Sequence, residues 1–192
     1  MMKRISLIVA LILAFALHGS AQEMSNALQF WENLKAHCGK AYEGRLAEGV
    51  SQPDFEGQRL VMHVRACEED RIRIPFFVGE DRSRTWVLTY DREKDRITLK
   101  HDHRHEDGSE DEVTQYGGTA SNSGFAHLQF FPADPETAER IDYASANVWW
   151  ITLDEDTYTY NLRRLGTERL FTVIFDLRNP VEAPPAPWGW ED

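Results

Sequence analysis

The chain has 192 residues, with 21 Lys and Arg against 32 Asp and Glu (formal net charge −11), 42% hydrophobic and 11% aromatic residues, and two cysteines. That length suits one domain with a sizeable core, and the aromatic content excludes disorder over most of the chain. The acidic balance argues against nucleic acid, whose phosphates require Lys and Arg, and against an anionic membrane surface.

The first residues read as a targeting segment. Lys3 and Arg4 precede an apolar run, Ile5 to Leu17, too short to span a bilayer comfortably, and small residues follow at Gly19 and Ala21. A signal peptide over residues 1–21, cut after Ala21, is expected, with an uncleaved anchor as the alternative. No cysteine follows the run to carry a lipid. Loss of Lys3 and Arg4 would leave 19 − 32 = −13 charges on a secreted or periplasmic chain with no membrane insertion.

Export permits disulfides, and Cys38 and Cys67 are the only pair. A structural bond between them is expected, with free thiols as the alternative. Neither lies in a Cys-x-x-Cys arrangement, which argues against redox catalysis.

Ser25 is placed to cap a helix whose apolar positions are Ala27, Phe30, Trp31, Leu34 and Cys38, with Gly39 as its stop. Strand patterns follow. Tyr42, Gly44 and Leu46 alternate with polar residues; Leu60 to Cys67, Arg71 to Val78 and Thr85 to Tyr90 alternate in the same way; Ile97 and Leu99 open the next run. Short runs follow at Val113–Tyr116, Phe125–Phe131, Val148–Leu153, Thr157–Leu162 and Leu170–Leu177, with one or two helical turns over Pro135 to Ile141, capped by Asp134.

Tight turns between short strands describe an antiparallel meander, and about ten strands are too many for one flat sheet. The expected fold is mainly β: an up-and-down barrel over residues 22–183, one end plugged by the N-terminal helix. A two-sheet sandwich is the alternative. In residues 184–192, Pro184, Pro185 and Pro187 enforce an extended strap whose Trp188 and Trp190 would cover an open face or end of the barrel.

A helix followed by such a meander resembles the calycin barrels, which include lipocalins and fatty-acid-binding proteins. The last quarter of the chain, from Asn147-Val148-Trp149-Trp150 through Arg163-Arg164-Leu165-Gly166-Thr167 to Pro187-Trp188-Gly189, resembles secreted bacterial proteins without an assigned function. The lipocalin likeness is architectural: the Gly-x-Trp of that family's first strand is absent from Tyr42-Glu43-Gly44-Arg45-Leu46. It implies a cavity for an apolar or amphipathic small molecule and carries no binding residue with it.

The most specific local feature is the run from Leu99 to Glu112. A two-residue turn at Asp107-Gly108 would pair His105 with Glu110, Arg104 with Asp111 and His103 with Glu112. Alternation puts His101, His103 and His105 on the inward face of Ile97 and Leu99. Imidazoles at i, i+2 on a strand can grip one zinc or copper ion, with Glu112 as third ligand or orienting group. The alternative is a solvated hairpin tip. His63 and His127 are candidate axial ligands if the cavity takes haem, the alternative being structural histidines.

Arg163, Arg164 and Arg169 read as outward faces of a hairpin or as a patch for an acidic ligand, to which Arg71, Arg73 and Arg84 would add if the fold brings them together. No nucleophile elbow or phosphate loop is present. The expected function is therefore non-enzymatic binding of a small, largely apolar molecule, with inward Trp86, Tyr90, Trp149 and Tyr158 as walls. A metal-dependent protein built on the histidine face is the main alternative, and an envelope interaction module with a filled core is the second.

Overall fold

The computed structural model describes residues 23–191, so the targeting segment at 1–21 lies outside the described residues. Helix α1 (Asn26–Lys35) starts where Ser25 Oγ accepts a hydrogen bond from the Leu28 amide at 3.2 Å, and it buries Ala27, Phe30, Trp31 and Leu34 completely. Its apolar stripe closes one end of the barrel: Trp31 packs on Tyr90 with ring centroids 5.6 Å apart, and Ser25 Oγ donates to Asp95 at 2.7 Å. Beyond α1, Gly39 takes φ +80°, and a disulfide joins Cys38 to Cys67.

The strands are β1 (Ala41–Leu46), β2 (Leu60–His63), β3 (Ala66–Cys67), β4 (Arg71–Val78), β5 (Asp81–Asp91), β6 (Arg96–His103), β7 (Tyr116–Thr119), β8 (Leu128–Pro132), β9 (Asn147–Leu153), β10 (Thr157–Arg164) and β11 (Leu170–Val181). All lie in one antiparallel sheet, in the order β7-β6-β5-β4-β2-β1-β11-β10-β9-β8, with β3 paired to β4. The two-sheet sandwich is thereby overturned. Because β1 pairs with β11, first and last strands are neighbours, and the seam of the nearly closed barrel falls in mid-chain between β7 and β8.

Helix α2 (Pro135–Arg140) seals that seam. Its cap residue Asp134 donates its amide to the Gly117 carbonyl at 3.0 Å; Thr137 Oγ1 accepts from the Gly117 amide at 2.7 Å and donates to the Gly117 carbonyl at 2.8 Å. The strand edge therefore has partners although no ladder forms there. The approach demands glycine: a Cβ at Gly118 would lie 1.7 Å from the Pro132 carbonyl oxygen.

Two strands differ from the pattern. The run Leu60 to Cys67 breaks after His63, where the Val64 amide turns to the Lys40 carbonyl at 3.0 Å. The run expected at Val113–Tyr116 starts at Tyr116 instead. Asp111 Oδ1 accepts from the Val113 amide, and Gln115 sits at φ +57°, so those residues form a turn.

The core fills the middle of the barrel, with Tyr42, Phe131, Trp149, Tyr158 and Phe175 all essentially fully buried. A smaller apolar cluster lies on the outer face, made by Ala41, Val61 and Phe77. The C-terminal strap lies along this outer side: Trp188 donates its amide to the Arg82 carbonyl, Arg82 returns a bond to the Ala186 carbonyl, and the Arg73 guanidinium stands 5.1 Å over the Trp190 ring. Pro184 and Pro185 flank the groove beside Val61 and Phe77. The strap covers a strand face, and Gly189 lies against Arg104 and Gly108 beyond the end of β6.

Candidate binding site at the open end of the barrel

Strands β5 and β6 run from the α1 end, at Tyr90 and Ile97, to the opposite end at Arg84 and His103. A cavity of about 120 Å³ opens at that second end. Trp86 forms its inner wall, stacked with Tyr160 at 4.2 Å and with Phe76 at 4.9 Å. Phe55, from the turn Pro53–Phe55, stands edge-on to Phe76 and Phe171 at 5.8 and 5.6 Å. Each such pair contributes about 0.5–1.5 kcal/mol beyond its buried area.

His101 lies beneath the cavity, 2% exposed. The Tyr116 carbonyl can only accept, so Nδ1 of His101 carries a proton and donates to it at 2.9 Å. Nε2 is then the acceptor of the Tyr160 hydroxyl at 2.5 Å. Burial, reinforced by the charges of His103 and Lys100, pushes this imidazole down to about 3. His103, at the cavity wall, is pushed down to about 4 by burial first and the Arg84 charge second. Burial raises the Tyr116 and Tyr160 phenols above their ordinary range. These rings are neutral wall groups near neutral pH.

The metal arrangement is corrected by this geometry. His105 donates its amide to the Ser109 carbonyl, and Arg104 pairs with Glu110, so the turn holds Glu106, Asp107 and Gly108 and the register shifts by one residue. Glu112 therefore does not face His103. His105 and Glu112 are exposed, and both ring nitrogens of His101 are committed to protein partners. Among the described residues no group of three or more His, Cys, Asp or Glu is placed to hold a metal ion.

The haem ligands fare similarly. His63 lies on the outer face of β2, opposite to Leu60 and Met62, and His127 is exposed beside Phe125; neither lines the cavity. Of the four expected aromatic walls, Trp86 lines the cavity and Trp149 lines an adjoining groove of about 180 Å³. Tyr158 is fully buried against Trp86 and Phe175, and Tyr90 packs on Trp31 at the plugged end. Phe55, Phe76, Tyr116, Tyr160 and Phe171 complete the site. Phe76 and Tyr160 were accessible by parity, since they share faces with Ile74 and Tyr158; Phe55 carried no such signal.

Comparison with protein-family models, curated proteins and solved structures finds no match for the chain.

Proposed function

We propose that this protein is a secreted or periplasmic, non-enzymatic barrel that binds one small, largely apolar molecule at its open end, as the calycin likeness implies. The observation that carries this reading is the cavity walled by Trp86, Phe76, Tyr160, Phe55 and Phe171. Its volume of about 120 Å³ is close to the engineered apolar cavity of roughly 150 Å³ that takes up benzene. It is well below the roughly 300–1,000 Å³ of sites for drug-sized ligands. The ligand class is therefore one ring or a short branched chain, and the filled middle of the barrel leaves no room for a fatty acid or a macrocycle. The Cys38–Cys67 bond is compatible with an oxidising compartment.

Native mass spectrometry of the protein from its own producing cells, together with tryptophan fluorescence titrated with benzyl alcohol and benzoate, tests the proposal. Bound organic mass, or saturable quenching that Trp86→Leu abolishes, is the expected result. A bare mass with no saturable response to either probe would overturn it.

A further inference from the structure

The cavity rim has a charge pattern that an apolar ligand does not require. Acidic residues outnumber basic ones 32 to 21 in the chain, yet among the described residues the cavity lining contains Arg84 and Arg169 and no Asp or Glu. The adjoining groove shares Tyr116, Tyr160, Leu162 and Arg169 with it, adds Arg164, and likewise has no acidic residue. Grooves elsewhere on the barrel are lined by Glu80, by Asp154 and Glu155, or by Glu43 and Asp176. Arg84 of β5 and Arg169 of the β10–β11 turn thus line the cavity, and Arg169 together with Arg164 of β10 lines the groove beside it.

Their existing partners leave donors to spare. Arg84 is paired with Asp81 through Nη1 and lies 5.3 Å over the Phe55 ring, which holds its guanidinium at the aromatic wall. A guanidinium has five N–H donors, so one carboxylate does not exhaust it. Arg164 donates to Asn147 Oδ1 at 2.9 Å and stands 4.8 Å over Tyr143, both neutral partners. Arg169 is exposed and its guanidinium donates to the amide oxygen of Gln52 at 3.3 Å; among the described residues no carboxylate forms an ion pair with it.

Resting on the binding function above, we propose that the ligand is a single-ring aromatic carboxylate, its ring against the Trp86 wall and its carboxylate held between Arg84 and Arg169. The apolar walls recognise the ring, and the two guanidinium groups recognise the charge. A neutral ring of the same size would keep the first interaction and lose the second.

Benzoate and benzyl alcohol share the ring and differ in charge, so the pair separates the two readings. Titration at low salt, followed by tryptophan fluorescence or calorimetry, should show benzoate binding at least about ten-fold tighter, with that advantage shrinking as salt rises. Arg169→Gln should weaken benzoate by about five- to ten-fold and change benzyl alcohol by less than two-fold. Being exposed, Arg169 can be replaced without disturbing the fold; Arg84→Gln should show the same selectivity where circular dichroism confirms an intact barrel. Equal affinity for both probes would overturn the carboxylate while leaving the binding cavity standing. A benzoate preference unchanged by Arg169→Gln and Arg84→Gln would overturn the arginine assignment. Binding of neither probe would overturn both this inference and the function it rests on.

Discussion

Mild acid should destabilise the barrel through imidazoles that the fold keeps neutral. His101 stays unprotonated down to about 3 in the native state, whereas an unfolded imidazole protonates near 6.5. Between those values the unfolded chain binds the extra proton, so stability is complete above the unfolded value and falls as pH drops towards the folded one. About pH 5 is about 1.5 units below the unfolded value, so the proton taken up on unfolding costs the native state about 2 kcal/mol at His101. His103, held near 4, adds a loss in the same direction, reduced by water at the cavity mouth. His37 and His63 are also lowered by burial, so the slope of the whole protein contains their parts. Urea unfolding at several pH values between about 7.5 and 5 measures that slope, and His101→Phe isolates one group. The variant should be less stable at neutral pH, because Tyr160 and the Tyr116 carbonyl lose their partner, yet its curve should be flatter by about 2 kcal/mol over this range. Parallel curves for the variant and the parent would refute the argument that His101 is buried and neutral.

Gly118→Ala should open the β7/β8 seam, since its Cβ would meet the Pro132 carbonyl oxygen at 1.7 Å. A loss of about 3 kcal/mol or more in urea, with faster amide exchange at Gly117 and Thr137, is expected. Reducing the Cys38–Cys67 bond, which closes a sequence separation of 29 residues, should lower stability by about 3–4 kcal/mol on the chain-entropy account, read as a lower melting temperature of the Cys38→Ala/Cys67→Ala variant. The Tyr158 hydroxyl is buried with no hydrogen-bond partner among the described residues. Tyr158→Phe should therefore be neutral or stabilising by up to about 1 kcal/mol in the same assay, and a marked loss would mean that a bound water or ligand satisfies that oxygen.

Local pattern carried the elements. The 3.6-residue stripe Ala27, Phe30, Trp31, Leu34 is the buried face of α1, and Ser25 caps it. The period-2 runs became strands, because a half-buried strand must alternate. With only two cysteines, the disulfide needed no choice of partner. Approximate strand number and antiparallel order followed from the short turns, and closure followed from the difficulty of leaving ten strands flat.

What pattern does not encode is which strands meet across the barrel. The β1–β11 pairing, the mid-chain seam and its repair by Asp134 and Thr137 depend on contacts between residues far apart in the chain. The same is true of the site. Alternation placed His101 and His103 inward, but a one-residue shift in the hairpin removed Glu112 from them, because side-chain facing reverses with each residue of slip. Composition revealed the arginines and the excess of acid, and the sequence alone left Arg163, Arg164 and Arg169 divided between a hairpin face and an acidic-ligand patch. Only strand pairing decides which charges share a surface: it brings Arg84 and Arg169, from separate stretches of chain, to one aromatic cavity with Arg164 in the adjoining groove, and no carboxylate among the described residues lines either.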